Sequence, residues 1–140
     1  SLQFRTIEGN FPNYQNVIPD YSNVPLDIRC IPQDSSIAPM ATWLRGRESV
    51  TLLPASDGIM LYDLKTESHA IFPGYLSAHC TFNGSFLSDF LRIDGFIQFI
   101  SADDMCPAIV RYHHGLGIIM PMRATVDPLA IIEKHALAHA

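Results

Sequence analysis

Leu76-Ser77-Ala78-His79-Cys80-Thr81-Phe82-Asn83-Gly84-Ser85-Phe86-Leu87-Ser88-Asp89-Phe90-Leu91-Arg92-Ile93 is the stretch in which the pattern of the chain starts over. Its first seven residues alternate apolar and polar, as a half-buried strand does. Asn83-Gly84-Ser85 then supplies the short polar side chains that cap a helix N-terminus. Beyond them Phe86, Leu87, Phe90, Leu91 and Ile93 form one apolar stripe, with Ser88, Asp89 and Arg92 outside it. That spacing predicts an amphipathic helix running to about residue 93. Downstream, strands are expected at 96–101, 107–112 and 116–122, with His113-His114-Gly115 turning the chain into the last.

The same order can be read upstream. A strand fits residues 2–8, followed by a long Pro- and Asn-rich connection over 9–36. A helix fits 37–46, with Pro39 in its first turn, where proline is tolerated. Strands are then expected at 49–54, 58–64 and 67–72, the first two joined at Ser56-Asp57-Gly58, a good hairpin sequence. The pattern is strand, helix and three strands, twice over. Neither helix can bury its stripe alone, so the two units should share a core of helices on antiparallel sheet, an α+β fold. The stretch 125–140, with Pro128 at its start and apolar residues at 129, 131, 132 and 137, reads as an added short helix following a domain of residues 1–124.

The totals narrow the function. An apolar share of 48% and a charged share of 16% exclude a disordered chain. No run approaches the roughly 18 apolar residues of a membrane helix, and the opening residues lack the order of a signal peptide. A cytoplasmic chain, excised from a longer product because it does not begin with Met, is the expectation. A net charge of −5 with nine basic residues has the wrong sign for gripping nucleic acid by bulk charge, so any contact with DNA must come from a local basic face. Cys30, Cys80 and Cys106 are an odd number without CxxC spacing, which points to reduced, mostly buried thiols.

Candidate chemistry is sparse. His113 and His114 are adjacent, so on a strand they point to opposite faces. His135 and His139 have one-face helical spacing but no third ligand, a weak metal pattern. Asp103-Asp104, between two strands, suits a turn. No GxSxG elbow, Gly-rich phosphate loop or local Cys-His pairing is present, so neither an enzyme nor a metal or other cofactor is expected.

Three segments resemble the last domain of bacterial DNA sliding clamps, the beta subunit of DNA polymerase III. They are Ile7-Glu8-Gly9-Asn10-Phe11-Pro12-Asn13-Tyr14-Gln15-Asn16-Val17-Ile18-Pro19 near the start, Phe82-Asn83-Gly84-Ser85-Phe86-Leu87-Ser88-Asp89-Phe90-Leu91 in the middle, and Ile118-Ile119-Met120-Pro121-Met122-Arg123-Ala124 at the far end. Their order and spacing match from Phe4 to Ala124. The resemblance implies a DNA-clamp domain built from a duplicated βαβββ unit, part of a ring whose helices line the hole. It implies a processivity factor in DNA replication whose partners are the replicative polymerase, the clamp loader, other clamp domains or subunits, and duplex DNA held weakly through the ring.

Carried over position by position, the resemblance puts Pro12, Val17, Asn83, Phe86, Ile118, Ile119, Met120, Pro121, Met122 and Arg123 in a groove for linear peptides, with Met105 or Cys106 adding a wall. It turns Arg45, Arg47 and Arg92 toward DNA. Methionines suit such a groove because a flexible thioether side chain moulds to varied anchors. The chain departs from the family pattern in having Phe86 for the usual Tyr, Ala124 for the usual Leu, and sixteen further residues. A plasmid- or phage-type clamp-like module that binds peptides without encircling DNA is the alternative, and an unrelated α+β enzyme a third.

Overall fold

In a computed structural model of the chain, the described residues are 28–124 together with 127, 130, 131, 133 and 134. The elements run β1 (Ile28–Pro32), α1 (Asp34–Leu44), β2 (Val50–Ala55), β3 (Gly58–Asp63), β4 (His69–Phe72), β5 (Gly74–Leu76), β6 (Cys80–Phe82), α2 (Gly84–Leu91), β7 (Phe96–Ser101), β8 (Ala108–Tyr112) and β9 (Leu116–Ile119). The duplicated strand–helix–three-strand order is present, and all the sheet pairings are antiparallel. The expected strand at 2–8 lies outside the described residues.

The two units exchange their leading strands. One sheet has the order β5-β1-β7-β8-β9 and the other β4-β3-β2-β6. Thus β1, from the first unit, pairs with β7 of the second, while β6, from the second, pairs with β2 of the first. Both sheets bury their inner faces in one cluster that includes Leu44, Leu52, Leu61, Phe82, Leu87, Leu91, Phe99 and Val110. Neither unit can close that core without the other.

The strand at 28–32 sits in what the sequence suggested was connection. Ile28, Cys30 and Pro32 are buried while Arg29 and Ile31 face outward, so the period-two pattern exists, but five residues ending in proline read as a loop. The single strand expected over 76–82 is two strands on different sheets. Between them the chain crosses over, with the Arg29 amide donating to Ser77 Oγ at 2.8 Å and the Ser77 amide donating to the Arg29 carbonyl at 3.1 Å.

The helix α1 begins at Asp34, a turn earlier than expected, so Pro39 lies inside it. Proline there removes one backbone donor, and the helix is held by packing of Met40, Ala41 and Leu44 instead. The helices run antiparallel, as their contacts show: Ser88 Oγ donates to the Ala41 carbonyl at 2.6 Å, and the Gly46 amide donates to Ser85 Oγ at 2.9 Å. Ser88 is therefore buried and Phe86 exposed, the reverse of the expected stripe, because the helix–helix contact admits a small side chain and satisfies its hydroxyl.

Gly84 makes this approach possible. A Cβ there would lie 2.7 Å from the Arg47 carbonyl oxygen and 2.8 Å from that of Leu44, both backbone atoms that cannot swing away. Gly84→Ala is expected to cost about 1–3 kcal/mol through overpacking, measured by urea unfolding. A change below a few tenths of a kcal/mol would contradict the close helix contact.

Among the described residues no helix is long and apolar enough to cross a membrane. Cys30 and Cys80 are buried free thiols and Cys106 is a half-buried one; burial pushes the first two well above the ordinary thiol range.

Candidate peptide-docking site

Three segments converge at one end of the molecule. The register of β8 against β9 sets Ala108 opposite Ile119, so the loop that leads into β8 lies where β9 ends. That loop also faces the run into β6, with His79 Nδ1 4.0 Å from Asp104 Oδ2. Beyond β9 the chain turns off its own sheet toward β6 of the other: the Met122 amide donates to the Thr81 carbonyl at 2.8 Å. Pro121 has no N–H to continue the β8–β9 ladder, which suits the departure. Residues 79–86, 103–106 and 119–123 thus form one neighbourhood.

Each segment has a local device that fixes it. Asn83 caps α2, its Oδ1 accepting from the Phe86 amide at 3.0 Å, which sets the first turn of the helix beside Thr81. Asp103 folds the loop before β8 by accepting from the Met105 amide at 2.8 Å and the Cys106 amide at 2.9 Å. Those bonds hold its carboxyl below the ordinary range. Ser101 Oγ closes the same loop from beneath, donating toward the carbonyls of Asp103 and Cys106. Gly117 lets β9 lie against α2, since a Cβ there would sit 2.8 Å from Phe90 Cε1.

On these supports stand four exposed apolar side chains: Phe86 at 62% of full exposure, Met105 at 48%, Met120 at 59% and Met122 at 36%. Large side chains left in water on segments this well tied down are exposed apolar positions and not part of the core. Ile118 and Pro121 are half-buried and Arg123 is exposed. Ile119 is corrected: at 3% exposure it belongs to the shared core. Alternation along β9 sends Ile118 and Ile119 to opposite faces, so they cannot both line a groove. Pro12 and Val17 lie outside the described residues.

A search of solved structures finds bacterial replication clamps. The DNA polymerase III subunit beta of Pseudomonas aeruginosa matches with TM-score 0.63 at 19% identity, over 84% of this chain and 36% of that one. The beta subunit from Thermotoga maritima matches with TM-score 0.63 at 17% identity, over 85% and 36%. The DNA polymerase sliding clamp of Caulobacter crescentus gives 0.58 at 22% identity, over 84% and 35%. The fold is that of a sliding-clamp domain. No protein-family model matches the chain by sequence, and no curated protein is found similar to it. The chain spans about a third of the length of the clamps it resembles.

Within this fold the arginines differ in what they are free to do. Arg45 and Arg92 are exposed, each at the C-cap of its helix, where a cation complements the helix dipole. Arg47 is engaged. Its Nη1 lies 2.8 Å from Asp63 Oδ2, its Nε donates to the Trp43 carbonyl at 2.7 Å, and its Cζ sits 3.9 Å from the centre of the Trp43 ring. These contacts make Arg47 a structural residue and leave Arg45 and Arg92 as the exposed members of the expected trio. Asp34 and Asp89 are exposed on the same two helices, so the helix pair carries no strong positive field.

Sequence reasoning missed Thr81, whose carbonyl anchors Met122; Asp103 was expected at a turn, and it shapes the Met105 loop as one. Thr81 acts through a backbone hydrogen bond to a residue 41 positions away, which no local pattern records, whereas the Asp103 turn is local, bonding the amides two and three residues on. Among the described residues no cluster of three or more His, Cys, Asp or Glu could hold a metal ion; His135 and His139 lie outside them.

Proposed function

We propose that this chain serves as one domain of a non-enzymatic replication clamp and docks linear peptides of a polymerase or clamp loader at the convergence of residues 79–86, 103–106 and 119–123. The observation that carries this reading is the placement of Met120 and Met122, exposed at the end of β9 and tied by the Met122 amide to Thr81, beside the Asn83-capped start of α2. Flexible thioethers accept Leu and Phe anchors of differing shape. Arg123, exposed at the rim, suits a carbonyl or carboxylate of the incoming peptide. Burying two apolar anchors contributes about 3–6 kcal/mol before ordering costs, which is the regime of weak, exchangeable binding.

A clamp of this kind is retained on duplex DNA by encirclement, so its DNA contacts need only be weak. Two exposed arginines neutralise about two phosphates, a shallow, salt-sensitive contribution that is compatible with a net charge of −5. Ring closure calls for further clamp domains or subunits, consistent with the third of a clamp's length that the chain spans.

The test is a fluorescence-polarisation titration of the 140-residue chain with a Gln-Leu-x-Leu-Phe peptide. Wild type should bind in the micromolar range, and Met122→Asp should weaken binding at least tenfold, about 1.4 kcal/mol. Equal binding by the two proteins, or no binding by either, would sink the docking reading.

A further inference from the structure

Two described residues beyond Ala124, Ile131 and Lys134, contact the preceding fold. Ile131 is 3% exposed and packs into a second apolar cluster with Leu53, Met60 and Tyr62, flanked by Ala55 and Leu64. The strand register puts Leu53 opposite Met60 and Thr51 opposite Tyr62, so this cluster lies on the face of the β2–β3 pair turned away from the shared core. Three residues beyond, Lys134 forms an ion pair with Glu67, at the end of the turn that follows β3. The turn carrying Ile131 starts at Asp127, whose carbonyl accepts from the Ala130 amide at 3.0 Å and the Ile131 amide at 3.3 Å.

Met122 and Ile131 therefore hold the chain at two places on one sheet. The first grips its edge strand, through the amide of Met122 on Thr81; the second grips its outer face, through Ile131 on Leu53 and Met60. The side chains of Thr51 and Thr81 link these two places across β2 and β6, with their hydroxyl oxygens 2.9 Å apart in a buried hydrogen bond. A single hydrogen bond at the end of a strand opens readily unless something beyond it is anchored.

We propose that Ile131 and Lys134 act as an intramolecular strap that positions residues 120–123, one wall of the proposed docking site. Without it Met120 and Met122 lose their fixed place beside Asn83, and a peptide must pay to order them. The consequence for peptide affinity rests on the docking reading; the strap itself does not.

The experiment is amide hydrogen exchange on the full chain, comparing wild type with Ile131→Asp, with peptide titrations run alongside. The strap predicts at least tenfold faster exchange at Met122, unchanged protection at β7 and β8, and severalfold weaker peptide binding, all restored in Ile131→Leu. If Ile131→Asp loses protection throughout, Lys134→Glu serves in its place: it should speed Met122 exchange, and Glu67→Lys combined with it should reverse the effect. Met122 exchange unchanged by these variants would overturn the strap. Faster Met122 exchange in the variants together with no peptide binding by wild type would keep the strap and retire the docking reading.

Discussion

Phe82→Ala is expected to lower folding stability by about 3–5 kcal/mol, the range for removing a buried aromatic side chain from a close-packed core. Phe82 is 1% exposed and ends β6, the strand that the second unit lends to the first sheet. Its ring meets Phe99 of β7 edge-to-face, with centroids 5.3 Å apart and planes at 75°. The contact therefore joins the two sheets directly, and an edge-to-face pair adds about 0.5–1.5 kcal/mol beyond area burial. Urea unfolding gives the number. Phe82→Leu keeps most of the volume and should cost under about 1.5 kcal/mol. A loss below 1 kcal/mol for the alanine variant, by the ~3–5 kcal/mol scale of such truncations, would mean that the sheets do not share one interior.

Arg47→Ala is expected to cost about 2–3 kcal/mol. Removing one partner of a fully buried pair costs about 3–5 kcal/mol, and the figure is discounted here because the Arg47 side chain is 26% exposed, against 4% for Asp63. The variant leaves the Asp63 carboxylate with the Lys65 and Thr66 amides, at 2.9 and 3.3 Å, and the Thr66 side chain, and removes the cation stacked on Trp43. Burial works against the charged form of Asp63, but the Arg47 guanidinium, the two amides and the Thr66 side chain together outweigh it and hold its pKa below the ordinary value. A depressed folded-state pKa contributes stability that is present above the unfolded-chain value, about 4, and is lost as pH falls through the lower folded value. Wild type should thus weaken on acidification below about pH 4, and Arg47→Ala should show a smaller loss over the same interval. Identical acid profiles for the two proteins would contradict the assignment.

Much of the architecture was legible because it is written in local periodicity. The Ala55–Gly58 register around Ser56-Asp57, the capped start of α2 and the strand at Phe96–Ser101 each follow from a few adjacent residues. What was not legible is what the fold does between segments. The exchange of β1 and β6 between sheets leaves no mark in spacing. The cutting of 76–82 into two strands depends on Ser77 finding Arg29, which lies 48 residues away. The strands β2 and β3 were expected, but their burial on both faces was not read from their near-continuous apolar runs. That Ile131 contributes to covering the outer face could be seen only in three dimensions.

The candidate site divides in the same way. Asn83 and Phe86 were found by the helix-start pattern and Met120 and Met122 by the terminal motif, but a motif names consecutive residues while a strand sends them to alternate faces. Ile119 therefore falls to the core and Ile118 toward the surface. Arg47 looked like a free cation because Trp43 and Asp63, which occupy it, are four and sixteen residues away.

Backbone amide shift mapping with a saturating Gln-Leu-x-Leu-Phe peptide tests the proposed docking surface most directly. The perturbed amides should be those of Thr81–Phe86, Met105, Cys106, Ile118, Met120, Met122 and Arg123, leaving the outer strands around Ile31 and Tyr75 unmoved. Perturbations centred on those outer strands, or none at saturation, would contradict a peptide-docking site where the chain end meets the start of α2.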